Sequence, residues 1–348
     1  MAAPRMRGAW IRGAGTSAVL AAALVACDVA ATLDGVAVSA SGSVAPTLIA
    51  SATLDRAEPP EPRPRVAPGD YFVDLETGEA TSLPGRITRL TRNGGGGYRV
   101  SPDGTQVLFE VVDRGSPFSQ LFLANLDGMD VRQLTDEPRG AGSGDFSPDG
   151  TRIAYVIGWS TYSIDSNIPR NQKILVLGPG YRVSARVAPV GTPSAMPRFG
   201  PEGNEILFTD TRRARVGLWT VPTSGGEEPV ELRRHAMWGT YSPDGERLVF
   251  LYPLPAGIDN RDPRWVAHDV MLANADGSDA RTLVGDLVLD LRHPIWSPDG
   301  TRIAVSTDSR VYLIEASTGE ITPVVAGYAA DWLDDRTLIV ERYRGPVG

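Results

Sequence analysis

The apolar run Ile303-Ala304-Val305 is bounded by polar segments, a pattern that predicts a short buried strand. Immediately before it stands Trp296-Ser297-Pro298-Asp299-Gly300, which reads as a strand ending in an aromatic and then a forced turn. Pro298 sets φ at about −65° for the first turn position. Asp299 can bond its own backbone, and Gly300 supplies the left-handed residue that returns the chain antiparallel. The same hydrophobic–turn–hydrophobic unit recurs at Val100–Gly104 before Val107-Leu108-Phe109, and at Phe146–Gly150 before Ile153-Ala154-Tyr155. It recurs again at Tyr241–Gly245 before Leu248-Val249-Phe250. Drifted copies are Phe199–Gly203 before Ile206-Leu207-Phe208, and Trp332–Asp335 before Leu338-Ile339-Val340. Successive starts of the first five lie 42 to 55 residues apart, a period that implies a solenoid, propeller or array.

A second half-repeat alternates with the first: a short apolar strand, a glycine turn and another strand. Leu121-Phe122-Leu123, Asp127-Gly128 and Arg132–Thr135 form one example, and the turn glycines are Gly78, Gly128, Gly180, Gly226, Gly277 and Gly319. Six first halves and six second halves are present, but in offset order. The pattern begins with a second half at Tyr71-Phe72-Val73 and finishes with a first half over 328–342. Orphan halves at opposite ends complete one four-stranded sheet only in a closed ring, which also removes exposed edges. The expected fold is all-β, a six-bladed β-propeller over 70–348, closed by a two-plus-two strand clasp between the chain ends.

The Ser-Pro-Asp-Gly hairpins, the spaced aromatics and the Leu-Thr strand ends resemble the WD40-like PD40 repeats of TolB-type propellers. The resemblance covers roughly residues 70–343 and rests on four intact motifs and two degraded ones. It implies a fold and leaves activity open, because similar repeats scaffold TolB, the gating propellers of prolyl-oligopeptidase-like peptidases and many exported proteins. TolB carries an α/β domain before its propeller. Here a linker stands in that place, so TolB's partner chemistry does not transfer on the sequence alone.

That linker and what precedes it change the cellular picture. Residues 1–27 place Arg5, Arg7 and Arg12 before a small-residue apolar run, Ala14 to Ala26, too short to span a bilayer comfortably. The run ends in Leu24-Val25-Ala26-Cys27, which resembles a lipoprotein lipobox, with Cys27 as the acylated mature N-terminus. Cys27 is the only cysteine in the chain, which favours a lipid over a chance cysteine in an ordinary secretory signal. Residues 28–69 are rich in Ala, Ser, Val and Pro and predict an extended spacer. The formal net charge is −8, and an acidic chain without a basic run excludes nucleic acid as a partner.

Antiparallel pairing puts the Ser-Pro-Asp-Gly and glycine turns on one face and the irregular connections on the other. Binding usually lives on such connections. Two are long: 158–172, with Trp159 and Tyr162, and 253–268, with Arg261 and Trp265. Gly94-Gly95-Gly96-Gly97 lies on the same face and reads as a loose link before the inner strand of the first blade. His235, His268 and His293 are the three histidines, and His235 and His293 precede inner strands near the channel mouth. They complete the candidate binding face. No pair has tight ligand spacing, so no metal or other cofactor is expected, and no Gly-x-Ser-x-Gly elbow or other catalytic constellation is present. Asp259-Asn260-Arg261-Asp262 lacks the closing Glu of a calcium loop. One inner-strand position reads Arg99, Asp145, Arg198, Thr240, Ile295 and Asp331 around the ring. Its balanced signs predict salt bridges between blades.

The function expected is that of a monomeric, membrane-tethered module that binds an envelope protein or peptide without catalysis, exported and facing the periplasm or cell exterior. The alternative is a propeller enzyme of carbohydrate-active or lactonase type, with a polar or metal site at the channel mouth.

Overall fold

The computed structural model describes residues 69–112, 115–116, 118–158, 172–187, 194–210, 216–253, 267–285, 291–307 and 309–341. They form six four-stranded antiparallel sheets arranged as a β-propeller. From the inside outward, the first blade holds Gly96–Val100, Gln106–Val112, Ser119–Asn125 and Arg132–Gln133. The second holds Ala141–Phe146, Ile153–Ile157, Lys173–Leu177 and Val183–Arg186, and the third Ser194–Phe199, Glu205–Asp210, Gly217–Pro222 and Val230–Arg234. The fourth holds Met237–Tyr241, Arg247–Pro253, Ala267–Asn274 and Arg281–Val284, and the fifth Arg292–Trp296, Arg302–Ser306, Arg310–Glu315 and Ile321–Ala326. The sixth is composite. Tyr328–Trp332 and Thr337–Glu341 supply its inner strands, and Asp70–Asp74 and Ala80–Ser82 its outer ones. Asp70 to Asp74 pair in unbroken register with Glu341 to Thr337.

Each Ser-Pro-Asp-Gly turn is held by bonds within the motif. In the first, the Ser101 hydroxyl donates to Asp103 Oδ1 at 2.6 Å and accepts from the Gln106 amide at 2.9 Å. The Thr105 amide bonds Asp103 at 3.0 Å, and Gly104 takes φ 69°. The copies at Ser147, Ser242 and Ser297 repeat the serine–aspartate bond.

The second strand of each blade is apolar on both faces because both faces are covered. Side chains of Val107 and Phe109 pack with Tyr98 and with Ala330 and Ile339 of the sixth blade, while Leu108 packs with Phe146, Ile153 and Tyr155 of the second. The hydrophobic core is therefore six clusters, each spanning two neighbouring blades. No blade has a core of its own.

Polar ties cross the same gaps. The Arg152 guanidinium donates to Gly203 O at 2.7 Å and sits 5.3 Å over the Phe199 ring of the next blade. Arg247 repeats this on Gly300 O and the Trp296 ring at 4.8 Å, and Arg302 on Asp335 O and the Trp332 ring at 5.4 Å. Between the third and fourth blades the position is Glu205 and the aromatic is Tyr241. There the tyrosine hydroxyl donates to the glutamate at 3.1 Å. The inner-strand charges also pair across blades: Arg198 lies 3.6 Å from Asp145, and Asp145 accepts the Phe199 amide at 3.0 Å. Asp331 accepts the Val100 amide at 2.8 Å, and burial raises its carboxyl against the opposing pull of Arg99.

One element has no counterpart in the sequence reading. The connection from the composite blade to the first contains a short helix, Gly85–Thr91, whose Ile87 fills the gap between those blades.

Deleting residues 332–348 removes the strand that pairs with Asp70–Asp74 and opens two sheet edges. We expect aggregation or loss of a cooperative thermal transition; a truncated chain that melts like the intact one would contradict closure through both chain ends.

Candidate functional site

Every inner strand carries an irregularity at the same place, between Gly96 and Arg99, Gly142 and Asp145, Ala195 and Arg198, Met237 and Thr240, Arg292 and Ile295, and Ala329 and Asp331. Such bulges turn a residue away from the ladder and re-aim it. In five blades the bulged residue is left-handed: Gly97 (φ 63°), Ser143 (φ 54°), Met196 (φ 55°), Trp238 (φ 55°) and His293 (φ 43°). Four of these are not glycine and hold a conformation that costs energy, so the surrounding structure imposes it.

The bulge amides show how. The amide of Ala329 donates to Ser306 Oγ at 2.8 Å, and that of Trp238 to Thr209 Oγ1 at 2.9 Å. Ser143 donates to Glu110 Oε1 at 2.8 Å, and Gly97 to Glu341 Oε1 at 2.6 Å. Each acceptor stands near the end of the second strand of the preceding blade. These clips lie at the mouth of the channel, on the face of the irregular connections.

There they enclose a cavity of roughly 250 Å³ whose lining includes Gly97, Ser143, Met196, His293 and Ala329 together with Glu110 and Glu341. It is lopsided. Small residues, Gly97, Ser143 and Ala329, occupy the sector of the sixth, first and second blades, where the two glutamates stand. Large ones stand over the fourth to sixth blades: the Trp238 and His293 rings meet edge-on at 5.1 Å, and His293 meets Tyr328, beside Glu341 in the sixth blade, at 5.7 Å. The Tyr328 hydroxyl and His293 Nδ1 share a hydrogen bond.

The glycine run belongs to this wall and is not a loose link. A Cβ at Gly95 would meet Glu110 O at 2.2 Å, and one at Gly96 would meet Glu341 Oε2 at 2.5 Å. Gly95 and Gly96 are glycine because the two glutamates approach their backbone too closely for a side chain, whereas Gly94 has open space and a left-handed φ of 112°.

Glu341 is squeezed between strands. Its cross-strand neighbours are Asp70 on one side and Tyr328 on the other. Burial first, and then the like charge of Asp70, push its carboxyl up to about 8 against the opposing pull of the Gly97 amide. Asp70 accepts the Tyr98 hydroxyl at 2.6 Å, and burial together with Asp70 raises that phenol. By contrast, burial lowers Arg198 to about 10, where the charge of Arg99 also opposes it.

The other residues singled out from sequence fall in different places. His235 is exposed, bonds Val216 O through its amide, and is not part of the cavity lining. His268 lies in the strand Ala267–Asn274, and its side chain is outside the described residues. Trp159, Tyr162, Arg261, Trp265 and Cys27 also lie outside them. Among the described residues no three His, Cys, Asp or Glu side chains are grouped to hold a metal ion, and no helix is long and apolar enough to cross a membrane. The glutamates and the bulge ring were missed from sequence. Their only signal is spacing, since the bulge falls four residues before the first residue of each turn motif.

The pH dependence of stability follows from two opposed sets of groups. Glu341 titrates higher in the folded chain than its ordinary 4.5, so its contribution is fully present below about 4.5 and is lost as pH rises through about 8. The turn aspartates are lowered, Asp149 to about 2, chiefly by bonds from the motif serine and threonine. Their contribution is present above the ordinary 3.8 and is lost as pH falls below it. The melting temperature should be highest in the mildly acidic range and decline toward pH 8 by on the order of a few degrees. Glu341→Gln should flatten the alkaline decline and leave the acid limb. An unchanged alkaline limb in that variant would contradict the assignment.

No family model matches the chain. Over 101 residues, 29% of this chain and 21% of the relative, it is 40% identical to the Tol-Pal system protein TolB of Anaeromyxobacter dehalogenans (strain 2CP-C). Over 216 residues, 59% of this chain and 19% of the relative, it is 28% identical to Tricorn protease homolog 1 of Streptomyces coelicolor. The chain thus spans about a fifth of the length of these curated relatives. In three dimensions it is similar to TolB from Acinetobacter baumannii, with a TM-score of 0.53 at 15% identity over 75% of this chain and 63% of that one. It is also similar to Kuenenia stuttgartiensis hydrazine synthase, with a TM-score of 0.56 at 17% identity over 77% and 42%. Both likenesses concern the fold alone. Fold, repeats and local identity together make this chain a six-bladed β-propeller similar to the TolB-type, PD40-repeat propellers.

Proposed function

We propose that the chain is an envelope protein-binding propeller, exported, held at the membrane through a lipid on Cys27 with 28–69 as spacer, and without catalysis of its own. The observation that carries the reading is the 40% identity over 101 residues to a Tol-Pal system protein. The division of the molecule into two unlike faces supports it. The turn face is built of stereotyped hairpins with satisfied hydrogen bonds, and the opposite face bears the cavity. Trp159 with Tyr162, and Arg261 with Trp265, have the composition of interface anchors. On this reading they flank the mouth and contact the partner.

Capture of envelope proteins by the detergent-extracted chain tests the proposal. Trp159→Ala and Trp265→Ala should each weaken capture by more than tenfold, the loss expected when an anchor worth about 2 kcal/mol is removed. Asp127→Ala and Asp276→Ala, on the turn face, should leave it unchanged. Equal losses from both faces, or none from the tryptophans, would overturn the binding face. In the same cells, palmitate labelling should disappear in Cys27→Ala, and labelling that persists would overturn the anchor.

A further inference from the structure

The arginines at the gaps between blades are tied: Arg152, Arg247 and Arg302 each bond a carbonyl of the next blade. Those of the helix Gly85–Thr91 are not. Arg86, Arg89 and the capping Arg92 recur every third residue and all three are exposed, while Ile87 and Thr91 on the other side are buried. Among the described residues none of these three guanidiniums has an ion-pair or hydrogen-bond partner. The helix holds no acidic residue that could pair with them.

Two further observations fall on the same flank. Where the helix begins, Pro84 lies against the outer turn of the first blade, so that a Cβ at Gly128 would fall 2.6 Å from Pro84 Cβ. The next residue of that turn, Met129, is a large apolar side chain left 58% exposed. Where the helix ends, Arg89 and Arg92 line a pocket together with Gly69, Asp70, Tyr71 and Ser82, so the chain enters the propeller beside the arginines. The carboxylates nearby are Asp70, buried and bonded by Tyr98 and Thr91, and the exposed Asp127 and Asp130 that flank Met129.

We propose that this flank is a membrane-contact surface, on which Arg86, Arg89 and Arg92 meet the phosphates of an anionic phospholipid bilayer and Met129 enters its interfacial region. Unpaired basic side chains beside an exposed apolar one are the composition of an interfacial contact. Position favours a bilayer over an acidic protein, because the stripe lies where the spacer from Cys27 joins the propeller; this step rests on the anchor proposed above. A tether holds the flank at high effective concentration near the membrane, so a contact this small suffices. Asp127 and Asp130 oppose it and keep it reversible. Docking fixes which flank of the propeller faces the bilayer.

Sedimentation with vesicles tests the proposal on the full chain carrying Cys27→Ala, which cannot be acylated there, so the docking surface and the lipid anchor can fail separately. Vesicles of phosphatidylcholine alone give the baseline. Vesicles that also contain phosphatidylglycerol should bind more protein, and the excess should vanish at about 1 M salt, where surface charges are screened. Arg86→Gln, Arg89→Gln and Arg92→Gln should each lower the excess partition coefficient about fivefold. Met129→Gln should lower it as well, and Asp127→Asn with Asp130→Asn should raise it. All six positions are exposed, so the variants are expected to melt as the parent does. The arginines of the leader are common to every chain compared, so the differences report the flank. Equal binding of the triple arginine variant and its parent to the anionic vesicles would overturn the proposal. Loss of envelope-protein capture in that variant, with vesicle binding intact, would also overturn it and assign the arginines to an acidic protein.

Discussion

The physical constraint on which the rest of this molecule depends is contact across the gaps between blades, made at three of the six gaps by an arginine after the hairpin turn and the aromatic that closes the inner strand of the next blade. Arg152 on Phe199, Arg247 on Trp296 and Arg302 on Trp332 join a ring stack to a carbonyl bond from the same guanidinium. Each is worth on the order of 1 kcal/mol. Their importance lies in direction. Each points from one blade to the next, and since every hydrophobic cluster also spans a gap, no sheet is stable without both neighbours. Closure through the composite blade then follows, because an open end would leave one cluster half-built.

The channel mouth inherits this constraint. An inner strand tied at its turn end and clipped at its bulge has little freedom between them, so residues such as Ser143 and Trp238 are held in left-handed conformations. The ring of bulges is regular in backbone and irregular in side chain. Small residues and glutamates gather over the sixth, first and second blades, and rings over the fourth to sixth. A symmetric scaffold thereby presents a cavity whose lining differs from blade to blade.

Much of the fold was legible before any coordinates. The turn motif encodes its own torsions and its own hydrogen bonds, as Ser101 and Asp103 show, so it reads locally. The offset of half-repeats at the two ends implied a ring, and the balanced charges at Asp145 and Arg198 implied ties across a gap. The site was not legible, for a physical reason. Gly97, Ser143, Met196, Trp238 and His293 share a backbone state imposed by neighbouring blades, and no residue type announces it. Glu110 and Glu341 end apolar runs and look like ordinary strand termini. The run Gly94–Gly97 suggested slackness, whereas two side chains pack against its backbone. The helix Gly85–Thr91 is a single short segment whose order comes from burying Ile87.

The gap between the third and fourth blades, one of those without the arginine, offers the sharpest measurement. There Glu205 and Tyr241 replace the arginine and the aromatic without a hydroxyl, and they are joined by a hydrogen bond. If blade-to-blade complementarity governs the ring, Glu205→Arg alone should lower stability by about 1 kcal/mol or more, by losing the tyrosine's acceptor. Adding Tyr241→Trp should restore most of it, because the gap then carries the pair found between the fourth and fifth blades. Equilibrium unfolding of the parent, the two single variants and the double variant completes the cycle. Recovery in the double variant is the predicted result; a double variant as unstable as the sum of the singles would contradict the account.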